Sequence, residues 1–235
     1  MPAKTRNQRN IRYFFLKILV IISILGAGIS FFQVLLFKYV NPPMTTNMIT
    51  ERISHHCFET KFVEPTYIWK DLNQISPHLR QAVLASEDQR FLHHRGFDYK
   101  EIQIVLMDVL HRKGIRGAST ISMQAARSLF LPATRNPLRK IAEIWYTLLI
   151  EMTWDKKRIL SVYLNTVDWG TGLVGAEAGA RKYFKCSAKK LTPSQAAMMT
   201  AILPSPHRWS PIHPSPWLKK RHYWILNQMK SMPLL

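Results

Sequence analysis

Apolar and polar positions divide this chain into one long apolar run followed by shorter amphipathic periods. From Ile18 to Phe37 no ionisable residue occurs. A helix of that length spans about 30 Å, the hydrocarbon thickness of a bilayer. Tyr13, Phe14 and Phe15 precede the run and Phe37 and Tyr39 close it, the aromatic flanks expected at membrane interfaces. The pattern predicts a transmembrane helix over 18–40. Lys4, Arg6, Arg9, Arg12 and Lys17 lie before it without any acid. The positive-inside rule therefore makes 1–17 a cytoplasmic basic tail and exports 41–235. A cleaved signal peptide is the competing interpretation, but the run is long for one and no clear Ala-x-Ala site follows.

Residues 38–55 read as a polar connector around Asn41-Pro42-Pro43, and 56–70 predict a short hairpin of aromatic and β-branched residues around Pro65. Helix start signals then recur. Ser76-Pro77, Asn136-Pro137, Thr192-Pro193 and Ser215-Pro216 each set a capping side chain before a proline at the first helical position. Thr192 to Gln195 also fits a capping box. The periodicity predicts helices over 77–86, 98–111, 119–130, 137–152, 155–165, 173–184, 193–203 and 216–229. The expected fold is mostly α, one helical domain behind one transmembrane helix.

Composition narrows the partners. Apolar residues form 47% of the chain, which excludes global disorder. The formal charge is +19, and setting aside the five N-terminal cations leaves +14 on the exported part. Outside the cytoplasm such an excess points to anionic lipid headgroups and lipid-linked phosphates, and away from nucleic acid. An oxidising compartment permits a bond between Cys57 and Cys186, but one pair is not a framework. There is no CxxC or HExxH, and the adjacent pairs His55-His56 and His93-His94 lack i,i+4 spacing, so no transition-metal site is indicated.

Three segments carry candidate chemistry. Glu87-Asp88 through Gly96 places two carboxylates where a helix gives way to a loop, although adjacent acids followed by cations also fit a salt-bridged solvent-exposed turn. Gly117-Ala118-Ser119-Thr120 opens a helix on which Gln124 and Arg127 share a face. Backbone amides at such a start bind anions, and an ordinary capped helix has the same pattern. The preceding 111–116 segment adds further cations. Arg139-Lys140-Ile141-Ala142-Glu143 begins a very apolar helix, on which Lys140 and Glu143 form either a surface pair or part of a cleft.

In order and spacing, these segments resemble the signatures of glycosyltransferase family fifty-one, the peptidoglycan glycosyltransferases. Glu87 to Gly96 matches every fixed position of E-D-x-x-F-x-x-H-x-G. Gly117, Ser119, Thr120, Gln124 and Leu131 match G-x-S-T-x-x-Q-Q-x-x-K-N-x-x-L, with Met123, Arg127 and Ser128 departing from it. Arg139, Lys140 and Glu143 match R-K-x-x-E, and Arg158 to Asn165 resembles R-I-L-x-x-Y-L-N. The resemblance covers roughly 66–212 and extends to Gly175-Ala176-Glu177. It implies a lysozyme-like helical architecture. Ser187-Ala188-Lys189-Lys190 satisfies S-x-x-K, yet no S-x-N or K-T-G accompanies it, so a monofunctional enzyme is expected.

The resemblance further implies polymerisation of lipid II, with inversion, onto a growing lipid-linked glycan strand. Glu87 is implied as the base and Glu143 as the second catalytic carboxylate, positioning cations or holding a divalent cation, Mg²⁺ or Mn²⁺. Asp88, Ser119, Thr120, Gln124, Arg127, Arg139 and Lys140 are implied in substrate binding. The expected location is the bacterial inner membrane, with the catalytic domain periplasmic and other cell-wall synthesis or division proteins as partners. Apolar residues crowd 102–110 beyond what one helix face needs, fitting either bilayer contact or core burial. A lysozyme-like hydrolase and a non-catalytic cell-wall scaffold are the competing functions.

Overall fold

The computed structural model describes residues 3–60, 62–111, 117–134 and 136–235, with side chains from residue 11 onward. It forms two units, Met1–Val40 and Asn41–Leu235. The first is one helix, α1 (Ala3–Tyr39), whose segment Ile11–Tyr39 is long and apolar enough to cross a membrane. Leu19, Ile22, Leu25 and Phe32 are exposed on it, as expected of a helix that is apolar all round.

The second unit opens on α2 (Thr46–Phe58), in place of the polar connector expected there. Thr45 accepts the amide of Met48, Met48 is buried, and Glu59 ends the helix in the left-handed region at φ 49°. Among the described residues, the hairpin expected over 56–70 is absent. Strand β1 (Thr66–Tyr67) instead pairs parallel with β3 (Leu173–Val174), which pairs antiparallel with β2 (Asp168–Gly170), giving the order β1-β3-β2.

The remaining helices are α3 (Pro77–Glu87), α4 (Tyr99–Leu110), α5 (Ile121–Phe130), α6 (Pro137–Thr153), α7 (Lys156–Thr166), α8 (Ala176–Phe184), α9 (Pro193–Ala201) and α10 (Pro216–Met229). Local chemistry fixes their starts. Ser76, Asn136, Thr192 and Ser215 cap helices that begin with proline, and Thr192 with Gln195 forms the full capping box. Helix α8 starts three residues later than periodicity predicts, because Leu173 and Val174 belong to the sheet. Gly175 follows at φ +86°, where a Cβ would lie 2.6 Å from the Asn165 carbonyl oxygen. Asn165 in turn receives the Lys70 amide and donates to the Lys70 carbonyl, both at 2.8 Å, tying α7 to the chain just after β1. Glu177 is fully buried and accepts from the Ala188 amide and Arg181.

Two packing centres share one core. Helix α5 packs against α6 and α7, and α3 packs against α9 and α10. Leu79, Ile121, Leu129, Ile150, Ile159, Leu160, Leu164 and Trp169 are essentially inaccessible to solvent. Each such aliphatic side chain contributes roughly 1.5–3 kcal/mol through burial. Cys57 and Cys186 are both free thiols.

Candidate active site

Glu87 is the last residue of α3, and its side chain is only 14% exposed. The Ser86 hydroxyl donates to its Oε1 at 2.8 Å, and the Gln124 amide nitrogen donates to its Oε2 at 3.1 Å. Gln124 Oε1 in turn accepts from the Tyr163 hydroxyl at 3.3 Å. Burial, reinforced by nearby Glu87, pushes the Tyr163 hydroxyl well above its ordinary pKa, so it stays protonated and can only hold Gln124 in place. This chain of donors fixes the Glu87 carboxylate at the mouth of the core.

Asp88 turns inward. Both its oxygens lie 3.0 Å from His94 Nε2, and its Oδ2 accepts the Ile121 amide at 3.0 Å. The protein thus supplies a carboxylate of its own at the start of α5, where the helix dipole favours it. Thr120 caps α5 through the Met123 amide and donates to the Gly96 carbonyl at 2.6 Å. Ser119 lies half-buried beside it. Gly96, at φ +88°, leaves no room for a side chain: a Cβ would sit 2.9 Å from Thr147 Cγ2. The first segment's glycine thus joins the second segment's cap to α6, one turn beyond Glu143.

Glu143 is 1% exposed, so a solvent-exposed surface pair is not what forms here. Lys140 Nζ lies 2.6 Å from its Oε1 and Arg139 Nη1 3.1 Å from its Oε2. Lys140 remains 45% exposed. The buried carboxylate holds two cations, one of them reaching solvent. Further along α6, Glu151 accepts from Ser122 and from Lys156 at 2.7 Å, and Lys156 lies 4.5 Å over the Phe91 ring.

Among the described residues, the carboxylates that could hold a divalent cation already bond groups of the protein itself. Both oxygens of Glu143 already face cations. The cluster of Asp88, His94 and Asp98 has suitable ligand spacing, but Arg90 binds Asp98, which also caps α4, and the Ile121 amide binds Asp88.

Arg127 is exposed on α5 and lines a cleft of about 830 Å³ with Ser128, Thr166, Asp168 and His207. Among the described residues, that lining includes neither Glu87 nor Lys140. Met123 is buried in the core, and the Ser128 hydroxyl lies 2.7 Å from that of Thr166. The cations Arg112, Lys113 and Arg116 noted in the sequence lie outside the described residues.

Sequence reasoning missed Arg221. It comes from α10, far along the chain, and reaches Glu87 Oε1 at 3.5 Å and the Ser86 hydroxyl at 2.7 Å. No local pattern marks it, since it sits in a basic run with Lys219 and Lys220. The apolar excess in 102–110 is not buried in the core. No residue of α4 is buried, and Ile102, Leu106 and Leu110 are exposed, as are Leu138, Ile141, Trp145 and Leu148 on α6.

Residues 56–230 match the family described as Transglycosylase. The chain is 42% identical over 203 residues to a protein of Pseudomonas syringae pv. syringae (strain B728a), covering 86% of both chains. It is 45% identical over 203 residues to one of Pseudomonas fluorescens (strain SBW25), covering 86% of this chain and 84% of the relative. It is 43% identical over 203 residues to one of Haemophilus influenzae (strain ATCC 51907 / DSM 11121 / KW20 / Rd), covering 86% and 82%. Each relative is named biosynthetic peptidoglycan transglycosylase.

Proposed function

The chain belongs to the Transglycosylase family, with its lysozyme-like helical domain, and is a peptidoglycan glycosyltransferase of cell-wall synthesis acting on lipid II or glycan; from that premise we propose how its residues carry the reaction. Glu87 takes the proton from the 4-hydroxyl of an incoming lipid-linked disaccharide. The oxygen attacks the anomeric carbon of the growing strand from the face opposite its lipid diphosphate. A new β-1,4 bond forms as the bond to the diphosphate breaks, with inversion.

The leaving diphosphate gains negative charge as it departs. Lys140 and Arg139, oriented by Glu143 before reaction, stabilise that charge without reorganising. Arg127 serves the lipid-linked strand along its own cleft, and Gln124 orients the base. Asp88 and Thr120 act from within the fold by fixing the start of α5 and Gly96, and Ser119 flanks the same junction. What supports the assignment most is that junction. Through Gly96 and Thr120 it ties the Glu87 segment to the helix that holds the Glu143 cations.

Both substrates carry lipid tails, so a membrane anchor confines the encounter to a surface. Helix α1 anchors the enzyme in the bacterial inner membrane with its N-terminus cytoplasmic. The exposed apolar faces of α4 and α6 rest on lipid, and other cell-wall synthesis or division proteins are its partners in the periplasm. A reporter fused after Leu235 is expected to be active only when it works outside the cytoplasm. Activity from a strictly cytoplasmic reporter at that position would reverse the orientation.

A further inference from the structure

We infer that Arg221 on α10 is a positioning residue for the base, and that it determines which oxygen of Glu87 receives the proton. The inference rests on Glu87 being that base. Arg221 Nη2 donates to the Ser86 hydroxyl oxygen at 2.7 Å and lies 3.5 Å from Glu87 Oε1. A guanidinium has donors only. Ser86 therefore accepts from Arg221 and directs its own proton to Glu87 Oε1, 2.8 Å away. Oε1 faces a hydroxyl donor and a cation, whereas Oε2 has the single amide donor of Gln124 at 3.1 Å. Donors and positive charge stabilise the ionised oxygen they touch. Oε2 consequently keeps the more basic lone pair. The sugar proton moves to Oε2 as the sugar oxygen bonds to the anomeric carbon, and the electron pair of the broken bond leaves with the diphosphate.

The placement of Arg221 is costly for a residue that only packs. Its side chain is 21% exposed, and its Nε is buried without a hydrogen-bond partner. Native proteins keep few such groups, and those they keep call for a reason. Burial also lowers the Arg221 pKa, and the negative charge of Glu87 opposes that shift. Of the other ionisable groups near Glu87, Tyr163 from α7 holds Gln124, Asp88 pairs with His94, and Arg127 on α5 is exposed. Helix α9, packed on α3, carries no ionisable side chain.

The test compares Arg221→Met, Arg221→Lys, Glu87→Gln and the Arg221→Met/Glu87→Gln double variant of the full chain. Each is assayed with lipid-linked disaccharide across a range of pH. Arg221→Met is expected to lower kcat about tenfold, within the range of general-base effects, while KM stays within about twofold. Its acid limb should move to higher pH, because a positive charge 3.5 Å from Glu87 Oε1 is removed while the carboxylate stays in place. Arg221→Lys should restore most of the rate and the parent limb. In the double variant, Arg221→Met should add nothing to the loss from Glu87→Gln, since residues acting through one another are not additive. A parent-like pH profile in Arg221→Met, or an equal further loss in the double variant, would overturn the inference and leave Glu87 as base. A parent rate in Glu87→Gln would instead remove the base itself. If Arg221→Met does not fold, Ser86→Ala must move the acid limb the same way, and an unmoved limb there is equally fatal.

Discussion

Glu87→Gln is expected to reduce polymerisation at least about a hundredfold in a protein that still folds, the scale of general-base catalysis. Glutamine keeps the shape of the side chain and removes its basicity. Its carbonyl oxygen still accepts from Ser86, so the donor on that side is not stranded. On the other side the Gln124 amide loses its acceptor and must rotate to present its own oxygen, giving up its bond from Tyr163. That rearrangement costs roughly 1 kcal/mol, one ordinary hydrogen bond. A thermal melt should therefore show a small shift while turnover of lipid-linked disaccharide collapses. A folded variant polymerising near the parent rate would exclude Glu87 as the base.

The second large effect is expected at the cation cluster. Lys140→Ala should depress polymerisation by about tenfold or more, since about 1.4 kcal/mol of lost transition-state stabilisation is tenfold in rate. The fold should hardly change, because Lys140 is 45% exposed and Arg139 still neutralises Glu143. Glu143→Gln should slow the reaction similarly and also lower the melting temperature. Its carboxylate is buried, and without it two neighbouring cations repel each other with no counter-charge between them. The measurement is turnover beside a melt for each variant. If both polymerise at the parent rate, the cluster serves stability alone, and Arg127 becomes the next candidate for the diphosphate.

Much of the fold was legible because its signals are local. The caps and prolines at Ser76, Asn136, Thr192 and Ser215 place four helix starts to the residue. The uncharged run marks α1 by length alone. What escaped depends on distant partners. Helix α2 has an ordinary polar composition, and its buried Met48 gives no periodic stripe. Strand β1 is two residues long and finds its parallel partner in β3, more than a hundred positions later, so no hairpin signal exists to read. The site divides in the same way. Glu87, Gln124, Lys140 and Glu143 stand out through motif and spacing, whereas Arg221 joins them only through the packing of α10 on α3. The role of Asp88 also needed three dimensions. From sequence the start of α5 reads as an open anion site, and folding brings a carboxylate to it from a segment 33 residues earlier.

The most direct test of the account supplies the purified full-length protein with the lipid-linked disaccharide precursor and identifies the product. The expected result is β-1,4-linked glycan polymer, with one lipid diphosphate released for each linkage formed. Soluble fragments cut from preformed glycan, or no conversion by the folded protein, would contradict it.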